Sequence, residues 1–538
     1  MKRLGVLAAV VALVAANLSA SPASAGASGL PEWAADSVIY EVNVRQFSDA
    51  GTFAAVEAQL PRLESLGVET LWLMPIQPIS VKNRKGSLGS PYSIADYTAV
   101  NPSYGTAADF QSLVDAAHSR GMKLIIDWVA NHSGWDNPWI TAHKDWYTQD
   151  KNGNIIWPAG TDWNDVADLN YDNADMRRAM IDSMKYWVST FDIDGFRCDV
   201  AGGVPTDFWN AARVELEALK PVFMLAENSD SLSLLQSAFS VNYGWELQSL
   251  MYGVVNSGDS PEFLVDHANY QAATFPSGTA SMNFITNHDE NSWNGTEFER
   301  YGSAANAMAV LTYTLPGVPL IYNGQEIGFD RRLAFFEKDA IDWTSGKALS
   351  LYPALNKLKR DSTALDIGPS AGSFSALSSS TTNLVAFARE NGTDKVLTFV
   401  NASGQNLTPT IKTGTRAGMY RNALTNALVR LRPNSYLPLG AWGYRVLTSD
   451  TTGARTVAVS ALTTSRTKIT LSRGRAATIP VTFTPREVTD TYLVWRSSRP
   501  SVVSVSSSGR VTARSKGSAL VTAKSVNGKL LRVSVTVR

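Results

Sequence analysis

Between Ser37 and about Leu365, short apolar β-branched runs alternate with longer stretches whose apolar residues recur at helical spacing. The pattern predicts strands over 38–44, 70–73, 123–127, 195–199, 223–227, 281–286 and 319–322. Helices are predicted between them, over 53–66, 107–120, 174–190, 206–219 and 303–313. Such alternation describes a parallel α/β domain, either a closed (β/α)8 barrel or a doubly wound sheet. Asn131, His132, Asp199, Glu227, His288 and Asp289 all fall at or just after strand ends. That is where barrel enzymes keep their chemistry, so the barrel is the stronger expectation.

The pattern breaks twice. Some 45 residues after Asp127 show little periodicity, which predicts a short inserted domain over about 132–174. Trp128, Trp135, Trp139, Trp146, Trp157 and Trp163 crowd into this region, either as the insert's own core or as a stacking surface for sugars. From 366 to 450 the texture changes to short alternating strands with Gly, Asn and Ser turns, predicting an antiparallel β-sandwich. From 454 to 538, seven or so short strands rich in Ser, Thr and Val fit an immunoglobulin-like sandwich.

Composition sharpens this division. At 44% hydrophobic the 538 residues exclude a disordered chain or a small stapled scaffold. The formal net charge is zero, but from Arg455 onward fifteen Lys and Arg face only Glu487 and Asp490. That last segment therefore stands at +13 and the remainder at −13. The basic segment suits either contact with a cell wall or polysaccharide, or a well-solvated spacer. It has no aromatic-basic reading motif, so nucleic acid is not an expected partner. Residues 1–25 read as a secretory signal, with Lys2 and Arg3, an uncharged apolar run over 5–16, and Ala23-Ser-Ala25 as the cleavage pattern. That run is too short to cross about 30 Å of hydrocarbon, so no membrane insertion is expected. A secreted monomer is expected, with cell-wall association where the basic segment makes that contact. Cys198 is the single cysteine, which excludes an internal disulfide.

The chemistry is carried by carboxylates. Arg197 stands two residues before Asp199 on a strand, so both side chains share a face, and the guanidinium is expected to lower the carboxyl pKa. Glu227 closes the next predicted strand, and Asn287-His-Asp-Glu290 adds Asp289 at a later rim. Two carboxylates about 5–5.5 Å apart across a glycosidic bond perform double displacement with retention.

From Tyr40 to about Ser449 the chain resembles the α-amylase superfamily of (β/α)8 glycosidases. The motifs run in order: Gly67-Val-Glu-Thr-Leu-Trp-Leu-Met-Pro75, Asp127-Trp-Val-Ala-Asn-His132, Asp165-Val-Ala-Asp168, Gly195-Phe-Arg-Cys-Asp199, Ala226-Glu227, Phe284-Ile-Thr-Asn-His-Asp289 and Gly317-Val-Pro-Leu-Ile-Tyr-Asn-Gly-Gln-Glu326. The resemblance implies that Asp199 is the nucleophile, Glu227 the general acid/base and Asp289 the stabiliser of the distorted sugar. It implies that Arg197 holds Asp199 ionised, that His132 and His288 bind sugar hydroxyls, and that Tyr92 stacks beneath the ring. Asn131 corresponds to a calcium ligand of the family, although no cofactor is needed for the chemistry itself. After the nucleophile, where many family members carry Lys-His, this chain has Val200-Ala-Gly-Gly203, which weighs against a required ion and a standard leaving-side subsite. Residues 454–538 resemble bacterial group 2 immunoglobulin-like modules through Trp495-Arg-Ser-Ser and Gly509-Arg-Val-Thr-Ala513.

The expected activity is retaining hydrolysis of α-1,4-glucosidic bonds in starch or maltodextrins. Two other readings stay open: transfer of the same intermediate to a sugar acceptor, and a non-catalytic surface-binding protein.

Overall fold

The computed structural model describes residues 29–346 and 349–538. The proposed secretory signal over 1–25 lies outside these residues. Eight parallel strands close a barrel: β1 Ile39–Val42, β2 Thr70–Leu73, β3 Lys123–Val129, β4 Gly195–Asp199, β5 Phe223–Ala226, β6 Val241–Tyr243, β7 Ala280–Asn283 and β8 Val318–Tyr322. They follow one another around the ring, and β1 closes on β8 through Ile39↔Leu320. Seven had a counterpart in the apolar pattern; β6, three residues long, had none.

Helices form where the sequence supplies both a cap and an apolar stripe. In Ala107–Ser119 the buried residues Phe110, Leu113, Val114 and Ala117 recur at helical spacing. Thr106 accepts from the Asp109 N–H at 3.2 Å while Asp109 accepts from the Thr106 N–H at 2.7 Å. This reciprocal cap contributes about 1 kcal/mol. The predicted helix over 53–66 is two helices, Phe53–Glu57 and Leu60–Leu66, because Pro61 needs a first-turn position. Helices Trp245–Asn256, Glu262–Thr274 and Leu351–Asp361 were not anticipated.

Register places the site. Asp127 on β3 lies opposite Arg197 on β4, which lies opposite Leu225 on β5, and Val129 lies opposite Asp199. Gly195 starts β4 with φ at 153°, where a Cβ would fall 2.0 Å from the Phe223 carbonyl oxygen. The close approach of β4 and β5 that sets Arg197 beside Glu227 therefore requires glycine there.

The insert is anchored by an antiparallel pair, His132–Gly134 with Val166–Asp168. The tryptophans of this region differ in placement. Trp128 and Trp146 are buried in the core, and Trp139 packs on Tyr97 and Trp146, whereas Trp163 lies 5.7 Å from His132.

The C-terminal part is all-β. A six-stranded antiparallel sheet from Ser373–Ala376 to Tyr444–Thr448 faces a three-stranded one over their own core. Nine further strands between Ala461–Thr463 and Leu530–Val537 surround a separate core containing Phe483, Val521, Val533 and Val535. This last unit docks on the preceding sandwich. The Leu428 N–H donates to Arg455 O at 2.8 Å, Arg432 pairs with Asp490 at 2.7 Å, and Glu487 accepts from Asn422 and Thr425. Among the described residues no helix is long and apolar enough to cross a membrane.

Candidate active site

At the carboxyl ends of the strands a pocket of about 640 Å³ opens between the insert and the barrel loops. Tyr92, His132, Asp199, Glu227, His288 and Asp289, six of the expected site residues, all line it. Arg197 lies directly beneath, fully buried.

Arg197 organises the floor. One terminal nitrogen, Nη1, meets Asp127 Oδ1 at 2.9 Å and Asp199 Oδ1 at 2.8 Å. The other, Nη2, lies 2.6 Å from Glu227 Oε1, and Nε donates to the Tyr243 hydroxyl at 2.9 Å. A buried guanidinium is tolerable only when anions balance its charge, and here three carboxylates surround it. Burial pulls the Arg197 pKa down, but Asp127 and Glu227 together hold it well above its ordinary value, so it stays charged.

The sequence expectation for Asp199 needs correction. Its carboxyl is pushed up, to about 6, rather than held low. Burial is the largest cause; Arg197 pulls the other way, as expected, but Asp127 and Asp289 add to the rise. Glu227 is pushed further, to about 7, by burial first and by Asp199 and Asp289, against Arg197. Both carboxyls of the buried pair therefore stand above the ordinary carboxylate range. The raised pair gives a pH profile. Activity that needs Asp199 ionised and Glu227 protonated should rise through about pH 6 and fall through about pH 7, with both limits belonging to the pair. A kcat/KM profile on a maltooligosaccharide, flat from pH 4 to 9, would contradict the assignment.

Val200, next after Asp199, has φ at 43°, a conformation a β-branched residue adopts only under strain. The turn aims its N–H at Glu227 Oε2, 2.8 Å away. Backbone strain thus fixes the Glu227 carboxyl.

The histidines differ. His132 is pushed down to about 4 by burial and is neutral. Its Nδ1 faces the Asn131 amide at 3.1 Å, leaving Nε2 as the ring donor at the pocket wall. For His288 burial lowers the pKa, but Asp289 and Glu41 outweigh it and hold it at about 9, so the ring is charged. Its Nδ1 donates to Glu41, its Nε2 donates to the Tyr92 hydroxyl at 2.9 Å, and Tyr92 donates to Asp127 Oδ2 at 3.1 Å. Trp72 Nε1 donates to the same oxygen at 3.2 Å. Tyr92 is thereby fixed, with Phe335 nearly parallel to it at 6.1 Å.

Several participants were not singled out in the sequence. Asp127 stood in a quoted motif without a role, and Glu41 lies inside β1 with no local signal. Trp293, Phe335 and Phe336 line the pocket from loops without periodicity. Lys85 pairs with Asp165 at 3.1 Å, tying the loop before Tyr92 to the insert.

A calcium ion at Asn131 would be held by the side-chain oxygen Oδ1. The Asn131 backbone oxygen accepts the Leu169 N–H, its amide nitrogen faces His132, and a Cβ on Gly203 would fall 2.6 Å from its Oδ1. Among the described residues no three His, Cys, Asp or Glu side chains come together as a metal site. The same close contact explains Val200-Ala-Gly-Gly203: against Asn131 there is no room for a side chain at Gly203.

Comparison with known proteins agrees with the geometry. Residues 34–221 match the α-amylase catalytic domain, 375–436 the α-amylase C-terminal all-β domain, and 458–535 the group 2 bacterial Ig-like domain. The α-amylase MalA of Haloarcula japonica is 29% identical over 73% of this chain, which spans 60% of MalA's length. The crystal structure of the maltogenic α-amylase AmyB from Thermotoga neapolitana superposes with a TM-score of 0.70 at 29% identity, covering 77% of this chain and 98% of that one. An α-amylase structure from Lactobacillus plantarum gives 0.68 at 32% identity, with the same 77% and 98% coverage. With the catalytic and C-terminal all-β models matched in order and a solved α-amylase 32% identical over 98% of its length, the chain belongs to the α-amylase family of glycosidases.

Proposed function

We propose that the protein is an exported α-amylase-type hydrolase that cleaves α-1,4-glucosidic bonds of starch or maltodextrins with retention of configuration. The observation that carries this reading is the sharing of one buried guanidinium by Asp199 and Glu227 on the pocket floor. The arrangement puts two carboxylates beside one site, the pairing that double displacement uses. The names of the amylase relatives support an α-glucan substrate.

In the first step the Asp199 carboxylate attacks the anomeric carbon while Glu227 gives its proton to the departing glycosidic oxygen. A glycosyl ester on Asp199 and a shortened glucan result. Glu227, now ionised, takes a proton from water as that water attacks the same carbon, and Asp199 leaves as carboxylate. Asp289 holds hydroxyls of the distorted sugar, with neutral His132 as a donor, while charged His288, whose two ring protons go to Glu41 and Tyr92, adds positive charge beside Asp289. Tyr92, fixed by His288 and Asp127, offers its ring to the sugar face.

Proton NMR of maltoheptaose digestion tests the reading. The first products should carry the α configuration, and β products would overturn retention. Chains longer than the donor appearing early would assign the intermediate to a sugar acceptor instead of water.

A further inference from the structure

The basic C-terminal unit presents a face on which four cations and no acid stand exposed. Four strands, β9 Lys468–Leu471, β10 Leu493–Ser497, β11 Gly517–Ser525 and β12 Leu530–Val537, form a sheet in the order β9-β12-β11-β10. Their alternate residues Leu493, Val521, Val533 and Val535 fill the core. The opposite face is therefore fixed by the register. Arg496 lies opposite Thr522, Thr522 opposite Arg532, and Ser534 opposite Lys468, with Lys524 two residues along β11 from Thr522. All four cations are exposed. At about 4.8 Å per strand, Arg496 and Arg532 stand about 10 Å apart with a hydroxyl between them.

This face carries no compensating charge. The unit's two acids, Glu487 and Asp490, are both occupied at the joint with the preceding sandwich. Among the described residues none of the four cations has a carboxylate partner. Soluble surfaces ordinarily intersperse the two signs, and like charges left together disfavour the folded state until an anion neutralises them. Val494, Leu520 and Leu530 are 42%, 39% and 44% exposed on the same face, so the docked sandwich does not cover it.

The chemistry of the face selects among anions. Two of the four cations on the face, Arg496 and Arg532, are arginines, whose planar fork matches phosphate. Ser and Thr hydroxyls between the charges can bond a polyol. No outward residue within these four strands is aromatic, and exposed Tyr492 just before β10 already carries the Arg432 guanidinium over its ring, so a base would find little stacking surface. We propose that this sheet face binds a linear polyol-phosphate polymer, holding the enzyme on an anionic matrix while the barrel acts on neutral glucan.

The test uses the full chain and immobilised poly(glycerol phosphate), with neutral dextran and single-stranded DNA as comparisons. Wild type should bind the phosphate polymer at low salt with a log K against log salt slope of roughly −3 to −4 for four contacts, and should ignore dextran. Lys468→Gln/Arg496→Gln/Lys524→Gln/Arg532→Gln should bind at least tenfold more weakly, with a shallower slope and unchanged maltodextrin turnover. Arg475→Gln/Arg510→Gln/Arg514→Gln/Lys516→Gln removes the same charge away from the face and should keep most of the affinity. Equal weakening by the two quadruple variants would reduce the effect to net charge and overturn the proposal. Absence of binding by wild type at low salt would overturn it too, as would single-stranded DNA binding as tightly as the phosphate polymer.

Discussion

Asp199→Asn is expected to lower kcat on maltodextrins by a factor on the order of 10⁵, the scale seen when a covalent nucleophile is removed. The amide has nearly the same shape and still offers Arg197 Nη1 an acceptor, so the site should persist while the ester can no longer form. Stability should move the opposite way. The Asp199 pKa is raised in the folded protein, to about 6 from an ordinary value near 3.8. An acid with a raised folded-state pKa costs nothing below its unfolded value, where both states are protonated. The cost grows as pH rises between the two values and is fully present above about 6. Asn carries no such cost, so the variant should melt higher than wild type at pH 8 and nearly level with it at pH 4. A shorter replacement adds a covalent test. In Asp199→Gly the vacated space admits azide, whose single displacement should give a glycosyl azide of β configuration from an α-glucan. Full activity in Asp199→Asn, or an α-configured azide product, would remove Asp199 from the nucleophile's place.

The contrast between what was legible in the sequence and what was not is clearest around this residue. Thr70–Leu73 and Gly195–Asp199 were readable because barrel strands are buried on both sides and so appear as short, nearly continuous apolar runs. Val241-Asn-Tyr243 is too brief to show a period. Its strand geometry comes from Leu225 and Ala226 on one side and Ala280 to Met282 on the other. The nearness of Arg197 to Asp199 followed from strand alternation, since they are two residues apart. The direction of the Asp199 shift did not follow, because burial and the charges of Asp127 and Asp289 arrive through folding. Glu41 and His288 are similarly invisible as a pair: 247 positions separate residues whose side chains touch. The charge asymmetry of the C-terminal unit was readable from composition alone. Only the register showed that four of those cations share one face and that both acids are used elsewhere.

Arg197→Met should be the most damaging single change to the fold of the site. It removes the cation while keeping much of the side-chain volume and the contacts with Trp72 and Tyr92, whose ring centres lie 5.2 and 5.7 Å from the guanidinium carbon. Asp127, Asp199 and Glu227 would then be buried together without a counter-charge. Breaking such a cluster from one side typically costs about 3–5 kcal/mol near neutral pH. The loss should depend on pH in a definite sense. Without Arg197 the three folded-state pKa values rise above their already raised positions, while the unfolded values stay near 4. Stability is then lost over a wider interval as pH increases, so the melting gap to wild type should be small at pH 5 and large at pH 8. Arg197→Lys should be intermediate, because one ammonium cannot reach carboxylates on both sides as the two terminal nitrogens do. Asp127→Asn added to Arg197→Met should recover part of the stability by removing one of the stranded charges, so the two changes are non-additive. Activity should not return with it, since Asp199 and Glu227 would still lack the cation that favours their ionised forms. A melting gap that stays constant across pH would assign Arg197 to packing against the aromatic rings instead of to charge balance.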